Sequence, residues 1–260
     1  MSKLKLQFAA AVAVLGCWSF ANADSITFQQ GPTYNTGGVT IRSDRPDTME
    51  NGGSQPEQII VGKNGSTTLR GLLEFDLSAL EAAVGGSPYV INSVSLTVNA
   101  FIAASSQNTM SFVTYDLDLL GNNLDFDEAT ATYNHAPSTP GGTVGTFLSS
   151  VTYRPNNAAD MGQKTFADSL NFRSAVQDAL NSDPANTIRF MLRAEGDGTT
   201  STSTTTFTRF DSDEATTGTH TIFRPALTVD YTIITPLPGA ATAGLALMGG
   251  LGLRRSRRRA

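Results

Sequence analysis

Two stretches concentrate carboxylates. "DLDLLGNNLDFDE" carries Asp116, Asp118, Asp125, Asp127 and Glu128, and "RFDSDE" carries Asp211, Asp213 and Glu214. Carboxylates at alternate strand positions project to one face, where with backbone carbonyls they could share a hard cation such as calcium. The full EF-hand spacing is missing, so the same residues also fit a solvated face or loop caps. A glycosidase asks for two carboxylates, and Asp125 with Glu128 is the pair this chain offers for that chemistry. Two histidines, His135 and His220, stand in polar loops and cannot supply a His-based metal triad. No Gly-x-Ser-x-Gly, His-Glu-x-x-His or phosphate-cradling glycine motif occurs. The inventory points to a non-enzymatic protein, with a polysaccharide hydrolase or lyase acting through Asp125 and Glu128 as the alternative.

The elements that must position these groups read as short strands. "SVSLTVNAFIA" puts Val94, Leu96, Val98 and Ala100 on one face and Ser95, Thr97 and Asn99 on the other, the period-2 pattern of a half-buried antiparallel strand. Similar runs recur at "ITF", "QIIVG", "LRGLLEFDL", "MSFVTYDL", "TIRFMLRA", "TTTFTRF" and "ALTVDYT", punctuated by Gly-Gly pairs beginning at 37, 52, 85 and 141. One helix interrupts them. In "ADSLNFRSAVQDALNSDP", Phe172, Ala175, Val176, Ala179 and Leu180 recur at helical spacing, with Asp168 or Ser169 as N-cap and Pro184 as a stop. Asp76, after a Leu-Leu-x-Phe strand, suits an Asx-turn that closes it. The expected fold is all-β, an antiparallel β-sandwich or jelly roll with one short helix.

The two ends differ from this body. The first 23 residues combine Lys3 and Lys5, an apolar stretch from Phe8 to Leu15 and the small-residue site Ala21-Asn22-Ala23, so a signal peptide is expected to be cut before Asp24. Cys17, in "VLGC", offers lipoprotein processing as the alternative. After cleavage at Ala23 the chain has no cysteine, which excludes disulfides and thiolate chemistry. At the other end Pro236, Leu237 and Pro238 precede an apolar run, Leu237 to Leu253, followed by Arg254, Arg255, Arg257, Arg258 and Arg259. The run is shorter than the ~20 residues a spanning helix needs, and the arginines would stay on the cytoplasmic side. Between the ends stand 23 acidic and 11 basic residues, a body near −12 rather than the whole-chain −5. Nucleic acid is thereby an unsuitable partner, while calcium or neutral surfaces are suitable.

This order of proline motif, weak span and basic end resembles the PEP-CTERM sorting signal, with Pro-Leu-Pro where that signal has Pro-Glu-Pro. The resemblance implies a transient membrane hold and removal by an exosortase, a membrane protease-transpeptidase; a plain retained anchor is the other reading. The body resembles DNRLRE-type extracellular domains. "PDTMENGGSQPEQIIVGKNGSTTLRGLLEFDLSAL" supplies Arg70, Leu72, Leu73, Phe75, Asp76 and Leu77, followed by Ile91, Ser93, Val94 and Leu96. "DFDEATATYNHAP", the helix "LNFRSAVQDALN" and the closing "RPALTVDYT" continue the likeness in order. The resemblance implies an extracellular β-sandwich associated with polysaccharide; Tyr34, Tyr115, Tyr133 and Tyr153 are rings on which a sugar could stack, or else core or rim tyrosines, and Arg70 is a further candidate ligand contact. Two family tryptophans are here Phe126 and Tyr133, and Trp18 leaves with the signal peptide, which removes the best stacking platform. The expected organisation is a signal peptide (1–23), the sandwich (24–234) and a sorting segment (235–260). Expected partners are the export translocon, signal peptidase, an exosortase and extracellular polysaccharide.

Overall fold

The computed structural model describes residues 18–29, 36–47, 58–101, 112–121, 123, 125–126, 131–134, 141–155, 157–195, 207–212 and 223–236. Their strands are β1 (Trp18–Gln29), β2 (Thr36–Arg42), β3 (Gln58–Asn64), β4 (Thr67–Asp76), β5 (Tyr89–Phe101), β6 (Val113–Leu120), β7 (Val144–Tyr153), β8 (Gly162–Phe166), β9 (Thr187–Ala194), β10 (Thr208–Asp211) and β11 (Ala226–Pro236). The helices are α1 (Ser78–Val84) and α2 (Leu170–Ser182). The protein is thus mostly β, as its alternating runs predict. The sheet runs in the order β1-β11-β5-β10-β3-β4-β9-β6-β7, with β2 paired to β4 and β8 to β5.

The chain forms two compact units. The smaller joins Met1–Asp24, Val84–Val90 and Tyr231–Ala260, and within it the Ile234 N–H donates to the Pro88 carbonyl at 2.7 Å. The larger comprises Ser25–Ala83 and Ile91–Asp230 and holds the core.

In the larger unit the antiparallel sheet curls back on itself. β3 is where it turns: Gln58–Val61 pairs with β10, and Gly62–Asn64 pairs with β4. Gly62, at φ 128°, takes a backbone conformation closed to residues with a side chain. The curl brings β6 over β10, so that the Tyr115 ring meets Phe210 edge-on at 6.2 Å and stacks on Tyr153 at 5.0 Å. Burial raises the phenol pKa of Tyr115 and Tyr153 well above its ordinary value, so both stay neutral, and the Lys164 ammonium lies over the Tyr153 ring at 4.9 Å from its centroid. The Tyr153 hydroxyl donates to Thr208 Oγ1 at 2.8 Å in the core. Tyr153→Phe is expected to cost about 1–3 kcal/mol by leaving a buried hydroxyl short of a partner, measurable as a lower denaturant midpoint.

Among the described residues two α-helices stand where the sequence pattern shows one. α2 is the expected helix: Phe172, Ala175, Val176 and Ala179 are buried, and Leu180 is half-buried. Ser169 is its N-cap, accepting the Phe172 N–H at 3.0 Å, and also donates to the Leu148 carbonyl at 2.7 Å. Asn171 Nδ2 donates to the Phe147 carbonyl at 3.0 Å, so the start of α2 is fastened to β7. Asp168 instead pairs with Arg173 and accepts the Val94 N–H. Ser169→Ala is expected to cost about 1 kcal/mol in thermal or denaturant unfolding. α1 was hidden because seven residues are too few to display a helical period. It starts directly after the Asx-turn: Asp76 Oδ1 accepts the Ser78 N–H at 2.8 Å.

Candidate functional site

Beyond β6 the chain turns through Asn123, whose φ of 59° places it in the left-handed region. Its side chain staples the turn to the start of β9. Oδ1 accepts the Arg189 N–H at 2.8 Å, and Nδ2 donates to the Thr187 carbonyl at 2.6 Å. This sets the turn against the last residues of α2, and between them opens a cleft of about 730 Å³ lined by Asn123, Asp125, Thr146, Asp178, Asp183 and Arg189 among others.

Arg189 is the cation of that cleft, with its side chain only 7% exposed. Its register partner on β4 is Glu74, which accepts Nε at 2.7 Å. Nη1 donates to Asp183 Oδ2 at 2.7 Å, and Nη2 meets Asp125 Oδ1 at 2.9 Å. Three carboxylates against one guanidinium leave the node net negative. Burial raises the Glu74 pKa, opposed by Arg189 and reinforced by Asp125 and Asp183. Burial pulls the Arg189 pKa down, but Glu74 and Asp183 outweigh it and the net shift is upward. A guanidinium already spent on carboxylates has little left for an anionic ligand, whereas Asp125, 83% exposed, presents an acceptor at the mouth. The cleft therefore suits hydroxyl or cationic donors.

The other acidic candidates are placed differently. Asp116 and Asp118 do share one face of β6, as alternation requires. The cation they share is the Arg193 guanidinium, at 3.2 Å and 2.7 Å respectively. Asp211 is fully buried and accepts from Asn99 Nδ2 at 2.7 Å. Asp127, Glu128, Asp213, Glu214, His135, His220 and Tyr34 lie outside the described residues. Among the described residues no group of three His, Cys, Asp or Glu is placed to hold a metal ion.

Of the ligand candidates, Tyr115 is corrected by burial. Tyr115 is 0% exposed, a core ring with no face for a ligand, because its β6 position points between the curled layers. Arg70 fastens a loop: its Nη1 donates to the Gly141 and Gly142 carbonyls, at 2.5 and 3.2 Å. Tyr133 is half-buried, packed with Phe126 over Val39, Ile41, Leu72, Leu120, Ala131 and Met191, and its carbonyl accepts the Gly141 N–H. The residues standing where the resembling family has tryptophans thus cover a small apolar cluster. Sequence reasoning singled out Asp125 but missed Glu74, Asp183 and Arg189, which lie far apart in the chain and share no motif.

At the ends, Ala21, Ala23 and Asp24 fall within β1, with Ala23 and Asp24 exposed. Pro236 closes β11, while Leu237, Pro238 and the terminal arginines are outside the described residues. Among the described residues no helix is long and apolar enough to cross a membrane. No protein-family model and no curated protein matches the chain.

Proposed function

We propose that the chain is an exported, non-enzymatic β-sandwich or jelly-roll protein of the cell surface or extracellular matrix, which associates with extracellular polysaccharide. Two sheet layers in contact through Tyr115, Phe210, Tyr153 and Thr208 support the sandwich reading. The division of the chain supports the export reading. The larger unit begins at Ser25, one residue after the expected signal-peptide cut, and ends at Asp230, ahead of the proline motif. Signal peptidase at Ala23 and an exosortase near Pro236, Leu237 and Pro238 would release a chain whose core lies within the larger unit. Mass spectrometry of protein released from cells is expected to find an N-terminus at Asp24 and no peptide beyond Pro238. A released chain carrying the arginines would overturn the sorting reading.

The observation that carries polysaccharide association is the cleft of Asp125, Asp178 and Asp183, which offers carboxylate acceptors to a hydroxyl-rich ligand and repels anions. Affinity electrophoresis of the protein through soluble neutral polysaccharides, with and without calcium, tests it. Asp178→Ala is expected to weaken retardation about tenfold, the worth of one charge-assisted hydrogen bond. Unchanged retardation would remove the cleft from the binding surface.

A further inference from the structure

β1 straddles the expected signal-peptide cut. It runs from Trp18 to Gln29, so cleavage between Ala23 and Asp24 removes its first half and leaves its second. Its neighbour in the sheet is β11, and side chains fix how the two align. Thr27 Oγ1 lies 3.0 Å from Thr228 Oγ1. Among the described residues, the cross-strand contacts of Thr97 with Thr165 and of Thr114 with Thr152 join direct register partners, and Thr27 stands to Thr228 in the same way. Gln29 Nε2 donates to the Arg224 carbonyl at 2.8 Å, which makes the pair antiparallel. Carried into the smaller unit, this register sets Asp24 opposite Tyr231. Burial raises the Tyr231 pKa and the Asp24 carboxylate adds to it, as that adjacency requires. Asn22 then lies opposite Ile233, and Phe20 opposite Thr235.

Along a strand the backbone groups alternate sides, the N–H and C=O of one residue pointing the same way. The Ile234 N–H donates to the Pro88 carbonyl, so Ile234 turns away from β1, while Ile233 and Thr235 turn toward it. Thr228 falls with Ile234 in this alternation, and pairs without backbone hydrogen bonds are those whose side chains come closest, as Thr27 and Thr228 do. In the uncut chain β11 thus has β1 on one edge and β5 on the other. When residues 1–23 leave, the edge that faced Asn22 and Phe20 opens at Ile233, which is half-buried, and at Thr235, which is exposed. Pro236-Leu237-Pro238 follows directly in the sequence. We infer that the end of the signal peptide covers the C-terminal processing site, and that the N-terminal cut opens it. The opened edge presents the N–H and C=O of Ile233 and Thr235, on which the membrane protease lays an extended segment of its own. Strand addition of this kind takes its affinity from main-chain groups, which suits the uncharged stretch Thr232–Thr235. In the first cut water splits the Ala23–Asp24 peptide bond, its hydroxyl joining the Ala23 carbonyl carbon and its proton the Asp24 amine. In the second a peptide bond beyond β11 breaks, and its carbonyl carbon passes to water or to an acceptor amine. The inference rests on the export reading and adds the order of its two steps.

Intact-mass spectrometry of the full chain, followed over time in cells that process it, reads both ends of each molecule. Uncut chains, chains cut before Asp24 and chains cut at both ends are expected, and none cut at the C-terminal end alone. Ala23→Tyr puts a bulky ring where signal peptidase needs a small residue. Among Ala23→Tyr chains that stay uncut at this position, C-terminal cleavage is expected to fall by about tenfold, the worth of a lost backbone hydrogen bond. Adding Phe20→Pro and Asn22→Pro keeps the signal peptide in place but removes the two amides that pair with Ile233 and Thr235, so C-terminal cleavage is expected to return. Chains cut at the C-terminal end that still carry residue 18, in the parent or at the parent's rate in Ala23→Tyr, would overturn the order and leave the export reading standing. Failure of the two prolines to restore cleavage would do the same. No C-terminal cleavage of the unsubstituted chain would overturn the sorting reading and this inference with it.

Discussion

Arg189→Met is expected to lower stability by about 3–5 kcal/mol, because it strips the cation from Glu74, Asp183 and Asp125 and leaves buried carboxylates uncompensated. Asp125 is mostly exposed and water screens it, so most of the loss comes from Glu74 and Asp183, whose side chains are 28% and 16% exposed. The pH dependence identifies the cause. The Glu74 pKa is raised by burial, so the folded state holds its proton more tightly than the unfolded chain does. The stability tied to that proton is present below the ordinary carboxyl value and is lost as pH rises through the raised one. Without Arg189 the rise is larger, so the gap between variant and parent should narrow as pH falls from neutral into the carboxylate range. Denaturant midpoints across that range measure it, and a gap independent of pH would mean that packing, not charge, was lost.

Phe190→Ala is expected to cost about 3–5 kcal/mol as well, through a cavity rather than a charge. The ring is fully buried on β9, edge-on to Phe172 of α2 at 5.5 Å and tilted against Phe75 of β4 at 5.9 Å. It is the wedge that seats α2, whose Ala175, Ala179 and Ser182 line the cleft. Thermal unfolding should show the loss, and hydrogen exchange should show α2 amides exchanging faster than those of β5. A loss below about 1.5 kcal/mol would mean that α2 settles inward and fills the space.

Sequence pattern made some of this molecule legible and hid the rest for physical reasons. β5 was readable because one face is core and the other is not, so Val94 through Ala100 alternate cleanly. β7 was not, since as the last strand in the sheet order it buries only Leu148 and Tyr153, and Gly145, Ser149 and Ser150 dilute its pattern. β2 and β8 are short and rich in Gly and Thr, with the same effect. In the cleft Asp125 was visible as one of a cluster. Its meaning depends on Arg189, more than sixty residues later, and on Glu74 across a strand pair, a juxtaposition made by register rather than by spacing. Asp116 and Asp118 teach the converse: the shared face was right, and a residue on β9 supplied the cation.

The fastening of α2 to β7 has a consequence for life at high local concentration. An end strand offers rows of unsatisfied amides and carbonyls on which a strand of another molecule can be templated, the first step toward fibrils. Ser169 and Asn171 occupy the Leu148 and Phe147 carbonyls, beside the exposed apolar side chains of Phe147 and Leu170. The helix cap thus also shields part of this edge, and fraying the first turn of α2 is expected to free both carbonyls for a strand of another molecule.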